Sequence, residues 1–326
     1  MKITIIGFGN IAHALIAYIG SKADVELSVL TSHPYMSDNV VSVDDSQQKG
    51  TIRKISDNPE EIIPDSDMIL FTVPSHVRRK VMEKLAPFVS EKTILGAFPG
   101  IGGFYDEVRD VIGEEVVVFA SQRVPFIARI VEKGKTVKAT PKEMMQIAVS
   151  KEASKVKEVL SYLLDMDIVL LNNFMEVNLT NSNPILHSAR LYTLLDNEDY
   201  PFQREILFYE EWDDRASEVL LAMDDEFMQL TNKLGLKHIK SLKEHYDINT
   251  VEQLTEKMQS IEAFKGIVSP MVHNDGRYVL DTSSRYFQED IGHDLSYILK
   301  VAEENGVNVP VLQKVYSKLR KVMERV

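Results

Sequence analysis

The stretch KITIIGFGNIA, residues 2–12, decides the fold. KITII is an apolar run of strand length, and the glycine turn after it opens a helix, NIAHALIAYIGS. The turn has the form G-x-G-x-x-A at Gly7, Gly9 and Ala12, with Phe8, Asn10 and Ile11 between them. Gly7 permits the tight turn, Gly9 lets the backbone approach a pyrophosphate, and Ala12 is small enough for close helix–strand packing. N–H groups of the first helical turn lack intrahelical partners and face the negative charge that a helix N-terminus favours. Glycine pairs also serve ordinary turns, so the spacing gains its weight from its place between a strand and a helix. Residues 7–12 are read as a dinucleotide-binding loop.

Outward from that loop, short apolar strands alternate with amphipathic helices. VELSVLT (25–31) is a second strand, and DMILFTV (67–73) is apolar enough for a strand covered on both faces. Val73 and Pro74 end that strand, and a helix follows over 75–87. KTILGA (92–97), EVVVFA (115–120), KTVKAT (135–140), MQIAVS (145–150) and DIVLLNN (167–173) are further strands, with a helix over 152–164. Such alternation indicates βαβ units and a parallel, doubly wound sheet of Rossmann type. The polar stretch 32–60 reads as a long surface loop. From about 174 the apolar residues recur at helical spacing, through 174–182, 184–195, 213–234, 250–259 and 290–305. Asn305-Gly306 is a helix stop and Pro310 starts the final helix. The expected organisation is a Rossmann domain over 1–173 and an all-helical domain over 174–326.

The 326 residues suffice for two domains of ordinary size, and 44% hydrophobic with 26% charged residues is a globular balance. A net charge of −12 argues against nucleic acid, whose phosphates are held by clustered Lys and Arg. The apolar runs at 67–73 and 115–119 are too short to span a bilayer, so no membrane is expected. Zero cysteines exclude disulfides, thiolate metal sites and a Cys nucleophile. The chain enters its first strand at Lys2 with no signal segment ahead of it, and a cytoplasmic location is the expectation. A homodimer stays open as an assembly.

NAD sites usually place an Asp or Glu about 20 residues past the glycines, on the ribose 2′-hydroxyl. The second strand ends instead in LTSHP (30–34), where Thr31, Ser32 and His33 offer hydrogen bonds to a 2′-phosphate. The cofactor reading therefore leans to NADP(H) over NAD(H).

In NPILHSARLY (183–192), Asn183 is a favoured N-cap and Pro184 a favoured first helical residue, which puts His187 near the helix start. A histidine among apolar neighbours is commonly a packing residue. A carboxylate beside an imidazole favours its charged form by about 1.4–4 kcal/mol, against ~1–2 kcal/mol disfavoured by a helix N-terminus. A proton donor at this place needs an Asp or Glu beside it. SSRYFQEDIGHDL (283–295) supplies candidates: Arg285 and Asp290 lead into a helix expected to begin near 290, with Glu289 and Asp294 as competing carboxylates. Spacing does not choose among them, and Asp290 as a plain helix cap is the simpler alternative.

Four elements in order, GFGNIA, the Q-x-x-P of SQRVPFIAR (121–129), the NP-x-x-H of NPILH, and RYFQED followed by a helix, resemble the opine dehydrogenases of the octopine and nopaline dehydrogenase family. FYEEW (208–212), MDDEFMQL (223–230) and a segment near Pro270 fall where that family has comparable elements. The resemblance implies a Rossmann domain followed by a helical one, with substrate between them. It implies NAD(P)H-dependent reductive condensation of an amino acid with a 2-oxo acid. It also implies a His–Asp acid–base pair, carried onto His187 and Asp290, and a carboxylate-binding arginine, carried onto Arg285. A planar guanidinium suits one carboxylate of such a product; Gln122, Arg123 and Asn183 are candidates for the other.

Two alternatives compete. Ketopantoate reductase and 3-hydroxyacid dehydrogenase types share this layout but rely on a lysine early in the second domain, and no lysine stands between Lys157 and Lys233. A non-catalytic NAD(P) sensor would carry an added DNA-binding or basic segment, and none is visible. Trp212 reads as core, His13 as a surface or packing residue, His76 as close to the expected cofactor, and His238 with His245 as lacking a third metal ligand.

Overall fold

The computed structural model describes residues 1–34, 39–180 and 182–324. The chain divides into two compact units, Met1–Thr180 and Asn181–Val326.

In the first unit β1 (Lys2–Ile6) runs into α1 (Asn10–Ile19) and then β2 (Glu26–Leu30). Next come β3 (Val40–Val43), β4 (Lys49–Thr51), β5 (Lys54–Ser56), β6 (Met68–Phe71), α2 (Ser75–Leu85), β7 (Ile94–Ala97), α3 (Phe104–Val111) and β8 (Val117–Ser121). β9 (Phe126–Glu132), β10 (Thr136–Pro141), β11 (Met144–Val149), α4 (Ala153–Leu164), β12 (Asp167–Leu170) and α5 (Met175–Asn178) complete it. The main sheet has the order β12-β11-β8-β7-β6-β1-β2-β5. β1 pairs in parallel with β2 on one side and β6 on the other, so the strand order reverses at β1. Ligands of open α/β sheets bind outside the carboxyl ends of the strands at such a reversal; Gly7 follows the end of β1, and Thr72 and Val73 follow the end of β6. β6, β7 and β8 are buried at every residue, as their unbroken apolar runs require.

Two expectations need correction. The sheet is not wholly parallel: β11 is antiparallel to β8, and β12 is parallel to β11. The segment between β8 and β11 is taken up by the β9–β10 hairpin of a second sheet and holds no crossover helix of the kind that joins parallel strands. Nor is 32–60 a loop. It holds β3, β4 and β5, and β4-β3-β10-β9 form a second, four-stranded sheet. That sheet packs on α1, with Val41 and Ile52 buried, and it explains why α1 is buried from Ala12 to Ala17. A Cβ at Gly50 would stand 1.8 Å from the Ile16 carbonyl oxygen, so β4 lies against α1 at a distance only glycine allows. Residues 35–38 of the stretch lie outside the described residues.

The division at Thr180/Asn181 falls later than the expected 173/174 boundary because α5 belongs to the sheet. Val177 sits in the core on that face, and Phe174 stacks on Tyr105 at 4.0 Å.

The second unit contains α6 (Asn183–Leu195), α7 (Asp214–Lys233), α8 (Leu242–Tyr246), α9 (Val251–Ser260), the hairpin β13 (Met271–Asn274) and β14 (Arg277–Leu280), a π-helix (Tyr286–Leu295), α10 (Ser296–Glu304) and α11 (Pro310–Met323). The unit is helical with one added hairpin, and is not all-helical in the strict sense. α6 is its centre: every residue from Pro184 to Leu194 is buried, against α7, α11 and the π-helix. The helix expected to begin near 290 starts instead at Tyr286, in π form, so Asp290 lies inside a helix and caps nothing.

Candidate active site

In the first unit Gly7 takes φ +102, and a Cβ there would meet Thr72 Oγ1 and Val73 Cγ1 at 3.0 Å. Gly9 is the reverse case, with nothing within 4 Å of its built Cβ. One glycine makes the turn and the other leaves room beside the backbone, which is the cradle a pyrophosphate needs at the helix N-terminus. Ala12 is fully buried. The loop is braced from behind. The Ile130 N–H donates to Asn10 Oδ1 at 2.8 Å, His13 Nδ1 pairs with the Gly9 carbonyl at 2.9 Å, and the Gly134 N–H donates to His13 Nε2 at 2.8 Å. His13 is thus fully buried and bonded at both nitrogens, and is no surface residue. Burial pushes its pKa down, with Lys133 adding and the hydrogen bond to Gly9 opposing. Because a donor faces Nε2, the neutral ring suits this place.

Thr31 is held by its N–H to the Ser56 carbonyl and accepts the His33 N–H on Oγ1 at 3.4 Å. Ser32 is exposed, as is Pro74, and no carboxylate stands among residues 31–34. Gln122 is buried after the end of β8, but its Nε2 donates to the Glu176 carbonyl at 2.8 Å, which fixes α5 to the sheet. Arg123 beside it is exposed.

In the second unit α6 begins at Asn183 with Ser182 as N-cap, one residue earlier than expected. Asn183 and Pro184 are its first two helical residues, where the missing proline N–H costs nothing. His187 is 9% exposed and Asp290 2% exposed, and Nδ1 lies 2.8 Å from Asp290 Oδ2. Both residues are therefore in one unit, on α6 and the π-helix. The competing carboxylates are engaged elsewhere: Glu289 pairs with Arg285, and Asp294 Oδ1 lies 2.9 Å from His293 Nδ1. Arg285 is exposed and tied to Glu289.

Sequence reasoning missed the aromatic wall around the imidazole. Tyr286 lies 4.5 Å from the His187 ring, Phe208 meets it edge-on at 5.5 Å, and Tyr209 Oη stands 3.2 Å from Nε2. FYEEW was the available signal, but no spacing rule ties it to a histidine 22 positions away. Trp212 is core, as expected, and its Nε1–H donates to Ser217 Oγ at 2.9 Å. Asp290 Oδ1 is buried with no hydrogen-bond partner among the described residues, a costly state unless something donates to it. Among the described residues no cluster fit for a metal occurs, and no helix is long and apolar enough to cross a membrane.

An α/β unit with a glycine loop at its strand-order reversal, followed by a helical unit holding a buried imidazole–carboxylate couple, has the layout of the two-unit NAD(P)-dependent dehydrogenases. Residues 170–323 match the family described as NAD/NADP octopine/nopaline dehydrogenase, alpha-helical domain. Octopine dehydrogenase of Mizuhopecten yessoensis is 25% identical, over 95% of this chain and 87% of its own length. Tauropine dehydrogenase of Arabella iricolor is 24% identical, over 98% and 91%. A solved octopine dehydrogenase, in complex with NADH and L-arginine, shares the fold at a TM-score of 0.84 and 24% identity, covering 99% of this chain and 90% of that one. Residues 170–323 thus match the helical domain of the octopine/nopaline dehydrogenase family, and nearly the whole chain is similar to opine dehydrogenases, NAD(P)-dependent oxidoreductases that act on CH–NH donors.

Proposed function

We propose that this chain reductively condenses an amino acid with a 2-oxo acid to an N-(1-carboxyalkyl) amino acid, using NADPH in preference to NADH, with His187 and Asp290 as its acid–base pair. The observation that carries the reading is the buried 2.8 Å contact of His187 Nδ1 with Asp290 Oδ2, in a chain that also has the Gly7–Ala12 cradle. The first unit holds the dinucleotide along residues 7–12 and against Val73 and Pro74, with Thr31 and Ser32 toward the 2′-phosphate. The helical unit recognises the amino acid.

An amino acid arrives as an ammonium and must lose a proton before its nitrogen can attack a ketone. His187 takes that proton, and Asp290 balances the charge that results. The same proton then goes to the hydroxyl of the carbinolamine, which leaves as water and yields an iminium. The reduced nicotinamide, when bound, supplies the hydride for the iminium carbon. Arg285 offers a planar guanidinium to one substrate carboxylate, while Arg123, Gln122 and Asn183 are the groups assigned to the other.

The test is a matrix of amino acids against 2-oxo acids, run with NADH and with NADPH. The expected result is oxidation that requires both substrates, and a higher kcat/KM with NADPH. Turnover with the 2-oxo acid alone removes the opine reading, and a preference for NADH removes the assignment of Thr31 and Ser32.

A further inference from the structure

We propose that the Tyr209 hydroxyl is the atom through which His187 exchanges protons with substrate, an inference that rests on the function proposed above and adds a third group to its acid–base machinery. With Nδ1 held by Asp290, Nε2 is the remaining ring nitrogen, and Tyr209 Oη stands 3.2 Å from it. A carboxylate only accepts, so Nδ1 carries the hydrogen. In the neutral ring Nε2 then accepts and the phenol donates. Direct transfer from Nε2 to a substrate would require this hydroxyl to be elsewhere.

The ring has little freedom to leave. Tyr209 is 6% exposed, stacks on Phe264 at 4.0 Å and 19°, and meets Phe208 at 4.8 Å. Its backbone is clamped as well. Arg190, one turn beyond His187 on α6, donates from Nε to the Phe208 carbonyl at 3.1 Å and from Nη2 to the Glu211 carbonyl at 2.5 Å. The Leu207 N–H donates to Glu211 Oε2 at 2.7 Å. One helix thus carries the imidazole and also fixes the loop that carries the phenol. Burial foremost, with Tyr286, Tyr246 and Asp290 adding, pushes the Tyr209 pKa up, so the group stays a phenol. Such a hydroxyl passes a proton on only as it receives another.

The relay balances. An N–H bond of the substrate ammonium breaks and its proton bonds to Tyr209 Oη, while the phenol's own proton moves to His187 Nε2. On the return, the Nε2–H proton goes back to Oη as the phenol's proton passes to the carbinolamine hydroxyl. The C–O bond then breaks with its electron pair on oxygen, and water departs.

Tyr209→Phe keeps the ring and its stack and removes only the oxygen. We expect the amine-dependent kcat to fall by about 10²-fold with the KM for dinucleotide unchanged. The proton inventory in mixed light and heavy water should change from a curve, with two protons in flight, to a straight line. A variant with wild-type kcat and an unaltered inventory overturns the relay. A second measurement needs no turnover: ¹⁵N NMR of the imidazole. The Nε2 resonance of His187 should move on Tyr209→Phe while the Asp290-bonded Nδ1 stays. An unmoved Nε2 overturns the proposal even where no substrate pair is active, an outcome that separately removes the function reading.

Discussion

On the proposed function, the imidazole, its carboxylate and the phenol work together in catalysis, so the losses on removing single parts should not multiply. His187→Asn and Asp290→Asn should each lower the amine-dependent kcat by about 10²–10⁴-fold. The double variant should fall little further than the worse single one, because groups that act together are strongly non-additive. Steady-state kinetics at saturating dinucleotide decides it, and fully multiplicative losses would mean that the two residues work independently. Spacing left the carboxylate partner as one of three, Glu289, Asp290 or Asp294, and only the family resemblance singled out Asp290. The contact itself needed coordinates, because Asp290 reaches His187 from 103 positions away and from inside a helix of unusual pitch.

At the scale of the element, α7 illustrates how a helix joins others by burying charge. Asp224 Oδ2 accepts the Leu242 N–H at 2.9 Å and so tethers the start of α8. Burial is the main reason its pKa is pushed up to about 6 from 3.8; the hydrogen bond from Leu242 opposes the shift. The folded protein holds this proton more tightly than the unfolded chain does. Its contribution to stability is therefore present in full below pH 3.8 and is lost as pH rises through about 6. Asp224→Asn keeps an oxygen for Leu242 and has no charge to bury. It should stabilise the protein by about 3 kcal/mol at pH 7 and by only about 0.5 kcal/mol at pH 4. Urea unfolding at the two pH values measures this, and an equal effect at both would show that the carboxylate's charge is not the cause. Carboxylates along a helix are mostly solvated, yet Asp224 and Glu226 are buried and accept backbone N–H groups at the starts of α8 and α11.

For the whole molecule, each unit has its own core, so the dinucleotide reports on the first of them. At a hundred times its Kd, NADPH should stabilise the Gly7–Ala12 unit by about 2.7 kcal/mol. For a unit of this size that is a rise of roughly 5–10 °C in its unfolding transition. Differential scanning calorimetry with and without NADPH tests it; no shift at saturating concentration would remove cofactor binding from the reading.

By itself the sequence determined the elements whose signal is local. The glycine spacing, the unbroken apolar strands β6 to β8, the long helix α7 and the proline-led α6 follow from periodicity and turn chemistry within a few residues of each position. The tertiary structure decided whatever depends on partners distant along the chain. The strands within 32–60 form because they have α1 and the β9–β10 hairpin to cover, and α5 remains with the sheet because Val177 is buried there. Asp290 and Tyr209 flank one imidazole because the π-helix and the loop ahead of α7 both pack on α6. Local patterns record what a segment must bury, and only packing selects which side chains meet when it does.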